Sequence, residues 1–372
     1  MVRDGQSKVL FLVLRSDMPE NADPLDLTSV FRSLLASQAL DETTSERVFL
    51  SLLSGELDEA QIGALLTLIQ SLEPNAQTLT GAARAMRAHV ERVPYTLQTG
   101  EALLDTCGTG GAPKSFNVST AAAIVAASVT PCSDSPVRRV VVAKHGNRSR
   151  TGRGSAEVLQ TLGVHVDASP EQQARCLQES GVCFCFAIHH HPAMKHAMGP
   201  RRSLGFPTIF NALGPLTNPA GADRQLIGVY DNALVEPMAR TLANLGATRA
   251  MIVHSTDGLD ELSTTAPTRI MHVRDGTLHE EMIDAVDLGL PRATLDQLQA
   301  SSVEHSAEII RDIFAGTPSP YSDMVTLSAG AAIVVAGVCD DLSSGIELAR
   351  EAIVSGKTKA TLDRLIEVSR LS

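Results

Sequence analysis

The sequence predicts an α/β protein: a small N-terminal helical domain, then a larger domain with a mostly parallel central sheet flanked by helices. Apolar residues recur at helical spacing from about residue 25 to residue 92. Beyond Pro94, short runs that are apolar throughout alternate with helical segments, which is typical of strands covered on both faces. The chain has 372 residues, 44% of them hydrophobic, so it can bury a large core and form two domains. We divide it into an unassigned extension over 1–24, a helical domain over 25–95 and an α/β domain over 96–372.

Composition narrows the classes of function. The net charge of −11 opposes binding to a nucleic-acid backbone or to an anionic membrane surface. The six cysteines form no C-x-x-C pair and no zinc-type spacing, which fits reduced thiols in the cytoplasm. The apolar run at residues 9–14 is too short for a membrane span or a good signal sequence. We therefore expect a cytoplasmic protein with no nucleic-acid or membrane partner.

The helical domain is predicted from three apolar stripes. They comprise Leu27, Val30, Phe31, Leu34 and Leu35; Ile62, Leu65, Leu66, Ile69 and Leu72; and Leu79, Ala82, Ala83, Met86 and Val90. The stripes at 27–35 and 62–72 exceed what a small helical domain can bury alone. We therefore expect a homodimer formed through them.

The α/β domain is predicted from alternating strands and helices. Strands are expected at 139–143, 182–188, 225–230 and 251–254, and helices at 153–163, 232–245, 304–315, 326–338 and 343–355. Ligands of open α/β sheets bind at strand ends, so the loops that follow these strands are the candidate functional sites.

The first candidate is the glycine-rich stretch 104–120, which is typical of a strand end, a tight loop and a buried helix. Asn117, Ser119 and Thr120 can cap that helix, whose free N–H groups favour an anion, so the stretch predicts a phosphate site. Its glycine and Lys-Ser spacing approaches a nucleotide-binding P-loop, but Pro113 lacks the N–H that such a loop supplies. A glycine-rich turn without a ligand remains the alternative for this loop taken alone.

The second candidate is the loop 143–155, which follows a predicted strand and opens a helix. Lys144, Arg148, Arg150 and Arg153 place four cations within ten residues of an acidic protein. Arginine forks match phosphate oxygens and lysine acts as a point charge, so this loop also predicts a phosphate site. A solvated basic loop is the alternative.

The third candidate is an acidic loop after the strand at 251–254. It carries Asp257, Asp260 and Glu261, and hard oxygen ligands at a strand end suit Mg²⁺ shared with substrate phosphates. An ordinary acidic loop with Asp at a helix start is the alternative.

Three adjacent histidines at 189–191 suggest a metal site at first sight. Adjacent side chains point in different directions, and no nearby acid completes a familiar zinc spacing. We therefore do not expect these histidines to bind a metal.

Taken together, five segments resemble the anthranilate phosphoribosyltransferase family, in order and at familiar intervals. They are residues 108–111, 117–120, 144–149, 210–219 and 257–261, and the likeness runs from about residue 27 to near the C-terminus. The resemblance implies a helical domain, an α/β domain and a homodimer. It also implies transfer of the phosphoribosyl group of phosphoribosyl pyrophosphate to the amine of anthranilate, giving N-(5-phosphoribosyl)anthranilate and pyrophosphate, in tryptophan biosynthesis.

The resemblance also assigns site residues. The substrate-binding set is Gly108, Gly111, Ser115, Asn117, Val118, Ser119, Thr120, Lys144, His145, Gly146, Asn147, Arg148, Ser149, Ser155, His191 and Arg201. The metal ligands are Ser119, Asp260 and Glu261, for two Mg²⁺ ions per monomer. Arg201 meets the anthranilate carboxylate, with His191 lining the same channel. From the local sequence, we expect Arg201 or its neighbour Arg202 to be presented from a chain bend.

The chemistry requires no catalytic acid or base, because the aromatic amine of anthranilate is already neutral near pH 7. Positioning and electrostatic stabilisation of the leaving pyrophosphate carry the reaction. One rival is a nucleoside phosphorylase of the same architecture, which would use free phosphate and would not need the Asp260–Glu261 pair. Another is a non-catalytic nucleic-acid-binding relative, which should be basic and should have lost site residues.

The sequence also departs from the family pattern. Ala112 stands where the family often has Asp, and the loops at 112–115 and 150–154 are each about one residue shorter than the commoner form. The phosphate contacts of Lys114, Arg150 and Arg153 therefore stay open.

Overall fold

The computed structural model describes residues 25–111, 115–149 and 152–371. The N-terminal extension 1–24, Ala112, Lys114 and Arg150 lie outside the described residues. Within the described ranges, no helix combines the length and the apolar character needed to cross a membrane.

A helical layer opens the fold. It comprises α1 (Leu27–Leu35), α2 (Glu42–Leu53), α3 (Glu59–Gln70) and α4 (Ala76–Ala88). An Asp or Asn side chain caps each N-terminus by accepting from a first-turn amide. The three predicted stripes form α1, α3 and α4. The sequence analysis missed α2, whose buried face mixes Val48 and Phe49 with Ser45 and is therefore a weaker apolar stripe.

A seven-stranded sheet follows, in the order β3-β2-β1-β4-β5-β6-β7. Its strands are β1 (Glu101–Gly108), β2 (Arg139–Gly146), β3 (Val182–Phe186), β4 (Arg224–Gly228), β5 (Arg249–Ser255), β6 (Thr268–Arg274) and β7 (Thr277–Ile283). The first five are parallel to their neighbours and the β5–β6 and β6–β7 pairs are antiparallel, which confirms a mostly parallel sheet. The β6–β7 hairpin was not predicted, because β7 is mostly exposed and polar.

Helices cover the sheet. The α-helices are α5 (Val118–Ser128), α6 (Ser155–Leu162), α7 (Pro170–Ser180), α8 (Ala187–His190), α9 (Lys195–Leu204), α10 (Phe210–Leu213), α11 (Val235–Asn244), α12 (Val303–Phe314), α13 (Pro320–Ala336), α14 (Leu342–Val354) and α15 (Lys357–Ser369). Short 3₁₀ turns lie at Pro192–Met194, Asn232–Leu234, Ala285–Leu288 and Leu295–Leu298. The strand expected at 182–188 ends at Phe186, and α8 takes over its last residues.

Two hydrophobic cores lie on opposite faces of the sheet. On one face, the almost wholly buried helices α5 and α13 pack with α14 and α15. On the other face, α11 and α10 pack with the N-terminal helices, and Ile227 and Ile252 supply the floor. The helical layer therefore shares a core with the sheet.

The strand order places the candidate loops at one edge. The chain runs outward from β1 through β2 to β3, and then returns to start β4 on the other side of β1. In open α/β sheets such a reversal opens a crevice at the carboxyl ends of the two strands, here β1 and β4. The loops after β1, β2 and β5 all begin at this edge.

Candidate active site

The glycine-rich loop after β1 is anchored to the end of β4. Thr109 N–H donates to Gly228 O (2.9 Å), and Tyr230 N–H donates to Thr109 Oγ1 (3.2 Å). Gly111 has φ +102°, and a Cβ there would lie 3.3 Å from the Tyr230 ring. The loop therefore requires glycine both for its backbone angle and for its contact with Tyr230.

The start of α5 is arranged differently from the expected cap. Asn117 makes no capping bond with its side chain. Its Oδ1 accepts from Ser306 Oγ (2.9 Å) and its Nδ2 donates to Arg153 O (3.5 Å), so it ties α5 to α12 and to the second loop. The Glu261 carboxyl group, from the distant acidic loop, lies near the Ser119 backbone, and this contact opposes the rise in the pKa of Glu261. The prediction that Asn117 caps the helix is therefore wrong.

Three further residues of this stretch have restricted side chains. Val118 and Thr120 are wholly buried, so their side chains have no exposed surface to offer a ligand. Ser115 Oγ donates to Phe116 O (3.1 Å). What this segment offers a ligand is its amides, the Ser119 hydroxyl and the partly exposed Ser115.

Lys144 lies at the centre of the site. It is 3% exposed, and its Nζ donates to Thr106 O (2.6 Å) and to Ser119 Oγ (3.1 Å). Burial lowers the pKa of Lys144, opposed by the nearby Asp105 and Glu261 carboxyl groups. Lys144 thus joins the end of β2 to β1 and to the start of α5 through one ammonium group.

The acidic loop lies across the ends of β1 and β4. A Cβ on Gly108 would lie 2.9 Å from Asp260 Oδ2, and one on Gly228 would lie 1.6 Å from Asp260 O. Residue 228 must therefore be glycine to admit the Asp260 backbone, and Gly108 leaves room for the Asp260 carboxyl group. Burial, and then the Asp260 charge, raise the pKa of Glu261 to about 8, and burial also raises the pKa of Asp260. Two neighbouring half-buried carboxyl groups at this position favour a bound cation.

The third carboxylate of the acidic loop does not join them. Asp257 Oδ2 accepts from Thr265 Oγ1, and its Oδ1 accepts from Leu259 N–H (3.3 Å), so it stabilises its own turn. Among the described residues, no three His, Cys, Asp or Glu side chains converge as a complete metal site. Asp260, Glu261 and the Ser119 hydroxyl form a partial set of hard oxygen donors, of the kind that Mg²⁺ completes with water and phosphate oxygens.

The arginines of the basic loop after β2 differ in their exposure and in their contacts. The exposed Arg148 lies over the Phe186 ring, 5.5 Å from its centroid. The guanidinium of Arg153 donates to Ala300 O, which gives it a structural role. A Cβ on Gly146 would lie 2.3 Å from Ser155 Oγ, so this glycine admits the start of α6 against the strand end. Asn147 is exposed and Ser149 half-buried beside them.

The three adjacent histidines have three different environments. His189 Nε2 pairs with Asp167 Oδ1 (2.9 Å). His190 is wholly buried between Glu91 O (2.6 Å) and Gln173 Oε1 (2.8 Å). His191 Nε2 lies 3.3 Å from His145 Nε2. Their side chains diverge as the sequence analysis expected.

The His145–His191 pair is neutral near pH 7. His145 Nδ1 lies 3.1 Å from Gly214 O, so that nitrogen carries the proton and Nε2 accepts from His191. Burial lowers the pKa of His145 well below its usual range and that of His191 to about 4. The pair forms an uncharged wall beside Lys144.

Arg201 lies in the last turn of α9, which ends at Gly205. The expected chain bend is therefore wrong: the helix continues through Pro200 and carries Arg201 on its inner face. The guanidinium lies over the Phe210 ring, 5.1 Å from its centroid, and burial lowers the pKa of Arg201. No acid or carbonyl in the described part of the chain pairs with it, whereas the adjacent Arg202 is exposed.

The segment 210–219 links these groups. Gly214 O contacts His145, Asn218 Nδ2 donates to Ala143 O (2.8 Å), and Leu216 O accepts from Arg87 Nε (2.8 Å) in the helical layer. The segment thus joins β2 to α4. The ring of Phe210, at the start of the segment, packs against the Arg201 guanidinium.

Known proteins match this arrangement over nearly the whole chain. Two family models match, the glycosyl transferase family helical bundle domain at residues 28–90 and the glycosyl transferase family a/b domain at 100–359. An anthranilate phosphoribosyltransferase of Thioalkalivibrio sulfidiphilus is 44% identical over 344 residues, covering 92% of this chain and 98% of the relative. Another, of Rubrobacter xylanophilus, is 43% identical with 92% and 98% coverage. The chain belongs to the anthranilate phosphoribosyltransferase family.

Solved structures of the family have the same fold. The anthranilate phosphoribosyltransferase of Thermus thermophilus aligns with a TM-score of 0.82 at 36% identity, covering 92% of this chain and 99% of that one. The Saccharomyces cerevisiae enzyme, solved in complex with phosphoribosyl pyrophosphate and Mg, aligns with a TM-score of 0.81 at 26% identity, with 92% and 97% coverage. The predicted fold, enzyme class and family activity are confirmed.

Two site residues escaped the sequence analysis. Asp105, within β1, and Asn218, near the end of the segment 210–219, are buried polar side chains. Asp105 stood in the glycine-rich stretch 104–120 and Asn218 in the segment 210–219 that carries the resemblance, but neither was given a role. The available signal was a carboxylate in an otherwise apolar strand, which is costly to bury without a partner.

Proposed function

We propose that this chain transfers the phosphoribosyl group of phosphoribosyl pyrophosphate to the amine of anthranilate, giving N-(5-phosphoribosyl)anthranilate and pyrophosphate in tryptophan biosynthesis. One observation carries the proposal. Two half-buried carboxyl groups, an ammonium and a hydroxyl meet at the carboxyl ends of β1, β2 and β4. The neutral His145–His191 pair lies beside them, and the Arg201 guanidinium over Phe210 has no paired acid among the described residues. The carboxyl groups, the ammonium and the hydroxyl suit a metal-bound polyphosphate. The neutral histidine pair and the Arg201 guanidinium suit an aromatic carboxylate.

The phosphate side uses the loop after β1 and the start of α5. Gly108, Gly111, Ser115, Asn117, Val118, Ser119 and Thr120 bind the pyrophosphate and sugar, mostly through backbone groups. The same substrate is also bound from the end of β2, the loop after it and the start of α6, by Lys144, Gly146, Asn147, Arg148, Ser149 and Ser155. Lys144 supplies the charge closest to the centre of the site.

Magnesium is the proposed cofactor, held by Asp260, Glu261 and Ser119, with two ions per monomer. The donor set of two carboxylates and a hydroxyl fits a hard cation that shares its remaining positions with phosphate oxygens. The yeast relative solved with phosphoribosyl pyrophosphate and Mg supports this choice. The ion would stabilise negative charge on the departing pyrophosphate.

Anthranilate is proposed to bind on the other side of β2. Arg201 pairs with its carboxylate, and His145 and His191 line the pocket as neutral rings. A yeast relative in complex with 4-fluoroanthranilate supports an aromatic carboxylate as ligand. The neutral amine attacks C1 of the ribose as pyrophosphate leaves, so no side chain must remove a proton first. Catalysis is by position and electrostatics.

We further propose that residues 25–95 dimerise and that 96–372 carry the chemistry. Leu35 on α1 is 70% exposed, with Leu27 and Phe31 half-buried on the same helix, which leaves an apolar surface suited to a second copy. The cytoplasm is the proposed location, since the six cysteines are all unpaired thiols. No nucleic-acid or membrane partner is proposed.

The experiment is a direct assay of the full chain with anthranilate, phosphoribosyl pyrophosphate and Mg²⁺, following anthranilate fluorescence. We expect consumption of anthranilate, release of pyrophosphate, and loss of both on addition of EDTA. A parallel assay with a ribonucleoside and free phosphate tests the phosphorylase alternative. Turnover in that assay, without turnover of anthranilate, would overturn the proposal.

A further inference from the structure

The sheet divides between β1 and β2 at the edge that carries the site. The two strands pair in register from Glu101 with Arg139 to Leu104 with Val142, and the pairing stops there although both strands continue. Over their second halves, β1 pairs with β4 and β2 pairs with β3. The backbone groups that face each other across this division need other partners.

Side chains bridge the division. Asp105 Oδ1 accepts from His145 N–H (3.0 Å), so a β1 side chain takes the place of a ladder carbonyl. Lys144 Nζ donates to Thr106 O (2.6 Å), and Asn218 Nδ2 donates to Ala143 O (2.8 Å). The strands are thereby held near each other without closing into a ladder, and Lys144 and His145 both lie at this division.

Asp105 is the costliest of these bridges. It is 0% exposed, and its Oδ2 has no hydrogen-bond partner within the described residues. An uncharged or apolar residue would serve β1 at lower cost if the strand only had to pack. The carboxylate instead lies beside the Lys144 ammonium and holds the amide of the residue whose ring contacts His191.

We propose that Asp105 is a positioning residue, which fixes the end of β2 through its hydrogen bond to His145 N–H and so aligns Lys144 with the phosphate side and His145 with the acceptor side. Asp105 touches neither substrate. The inference rests on the proposed function for the roles of Lys144 and His145, but its structural basis is the divided sheet.

The experiment compares Asp105→Ala and Asp105→Asn with the wild-type chain in full-length protein. Asp105→Asn leaves an oxygen opposite His145 N–H and Asp105→Ala leaves none. We expect Asp105→Ala to lower kcat by about 100-fold, the cost of displacing a binding group by about 1 Å, and Asp105→Asn to recover at least about tenfold of that loss. Asp105→Ala should also weaken binding of phosphoribosyl pyrophosphate with Mg²⁺ about tenfold by calorimetry. If Asp105→Ala does not fold, Asp105→Glu shifts the oxygen by one methylene and takes its place with the same expected loss.

Thr358→Val is the matched control for a structural effect. Thr358 is also 0% exposed, and its hydroxyl bonds Ser128 Oγ (2.9 Å) at the far end of α5. We expect this variant to lower Tm while kcat stays at the wild-type value. Equal kcat losses in the control and in Asp105→Ala, or no advantage of Asp105→Asn over Asp105→Ala, would overturn the inference.

The binding measurement separates this inference from the proposed function. A wild-type chain that binds phosphoribosyl pyrophosphate but forms no product with anthranilate refutes the function, while Asp105 is still judged by the relative affinities of its variants. Unchanged affinity and kcat in Asp105→Ala refute the inference alone. A wild-type chain that binds no phosphoribosyl pyrophosphate overturns both.

Discussion

The two sides of the site, separated by the end of β2, are built from different kinds of group. On the phosphate side, Lys144, Asp260 and Glu261 are charged or titratable groups packed close to one another, with raised pKa values for both acids. On the acceptor side, His145 and His191 are neutral and Arg201 stands without a paired acid among the described residues. A polyphosphate with metal needs several compensating charges, whereas an aromatic monocarboxylate needs one cation and an uncharged surface.

The largest expected loss of activity is on the phosphate side. Asp260→Asn combined with Glu261→Gln should abolish Mg²⁺-dependent turnover, a loss on the order of 10³-fold or more, because the leaving pyrophosphate loses its metal. The fold should persist by circular dichroism. The matched control is Asp257→Asn in the same loop, whose carboxylate stabilises its own turn. Full activity in the double variant would refute the assignment of the pair.

The next effect is on the acceptor side. Arg201→Ala should cost ~2–4 kcal/mol of transition-state stabilisation, since it leaves the substrate carboxylate unpaired in a largely buried place. The loss should appear in kcat/KM for anthranilate, while calorimetric binding of phosphoribosyl pyrophosphate changes little. Arg202→Ala, on the exposed neighbour, should be milder. An equal loss for both substrates would contradict the division between the two sides.

Because His191 is buried as a neutral ring, the free energy of unfolding should depend on pH. The pKa of His191 is about 4 in the folded protein against an ordinary value of 6.5, so between these values the unfolded chain binds more protons. The free energy of unfolding should therefore rise as pH rises through this window and fall by about 3 kcal/mol as pH drops from above 6.5 to 4. Denaturant titrations at pH 4.5 and 7.5 measure it. His191→Gln should flatten the dependence, and an unchanged slope would contradict the buried neutral ring.

The smallest effect on catalysis is expected away from both sides. Leu35→Glu on α1 should shift a dimer to monomers in light scattering at micromolar concentration, because each copy loses the burial of one leucine, roughly 1.5–3 kcal/mol. Activity per chain should change little. Val354→Glu on α14 is the control, since Val354 is 74% exposed and Leu35 70% exposed. A wild-type monomer would refute the dimer.

Local patterns predicted much of this protein. The apolar stripes gave α1, α3 and α4, and the continuous apolar runs gave β2 to β5 within a few residues. The glycine-rich and acidic loops were predicted as sites because they follow strands, where open α/β sheets bind ligands, and because they matched one family together with other segments. The β6–β7 hairpin and α2 were missed, since their faces are partly polar and their structure depends on what packs against them.

The sequence by itself determined the class of fold, the family and the chemical types at the site, because periodicity and side-chain chemistry are local properties. Only the tertiary structure decided which groups meet. Asp257 bonds Thr265 rather than joining Asp260 and Glu261, Asn117 bonds Ser306 rather than capping α5, and Arg201 lies over Phe210. The Asp105 bridge likewise exists only because β1 and β2 separate at Leu104 and Val142. Such pairings join residues far apart in the chain, and their geometry follows from strand order and packing, which no local pattern encodes.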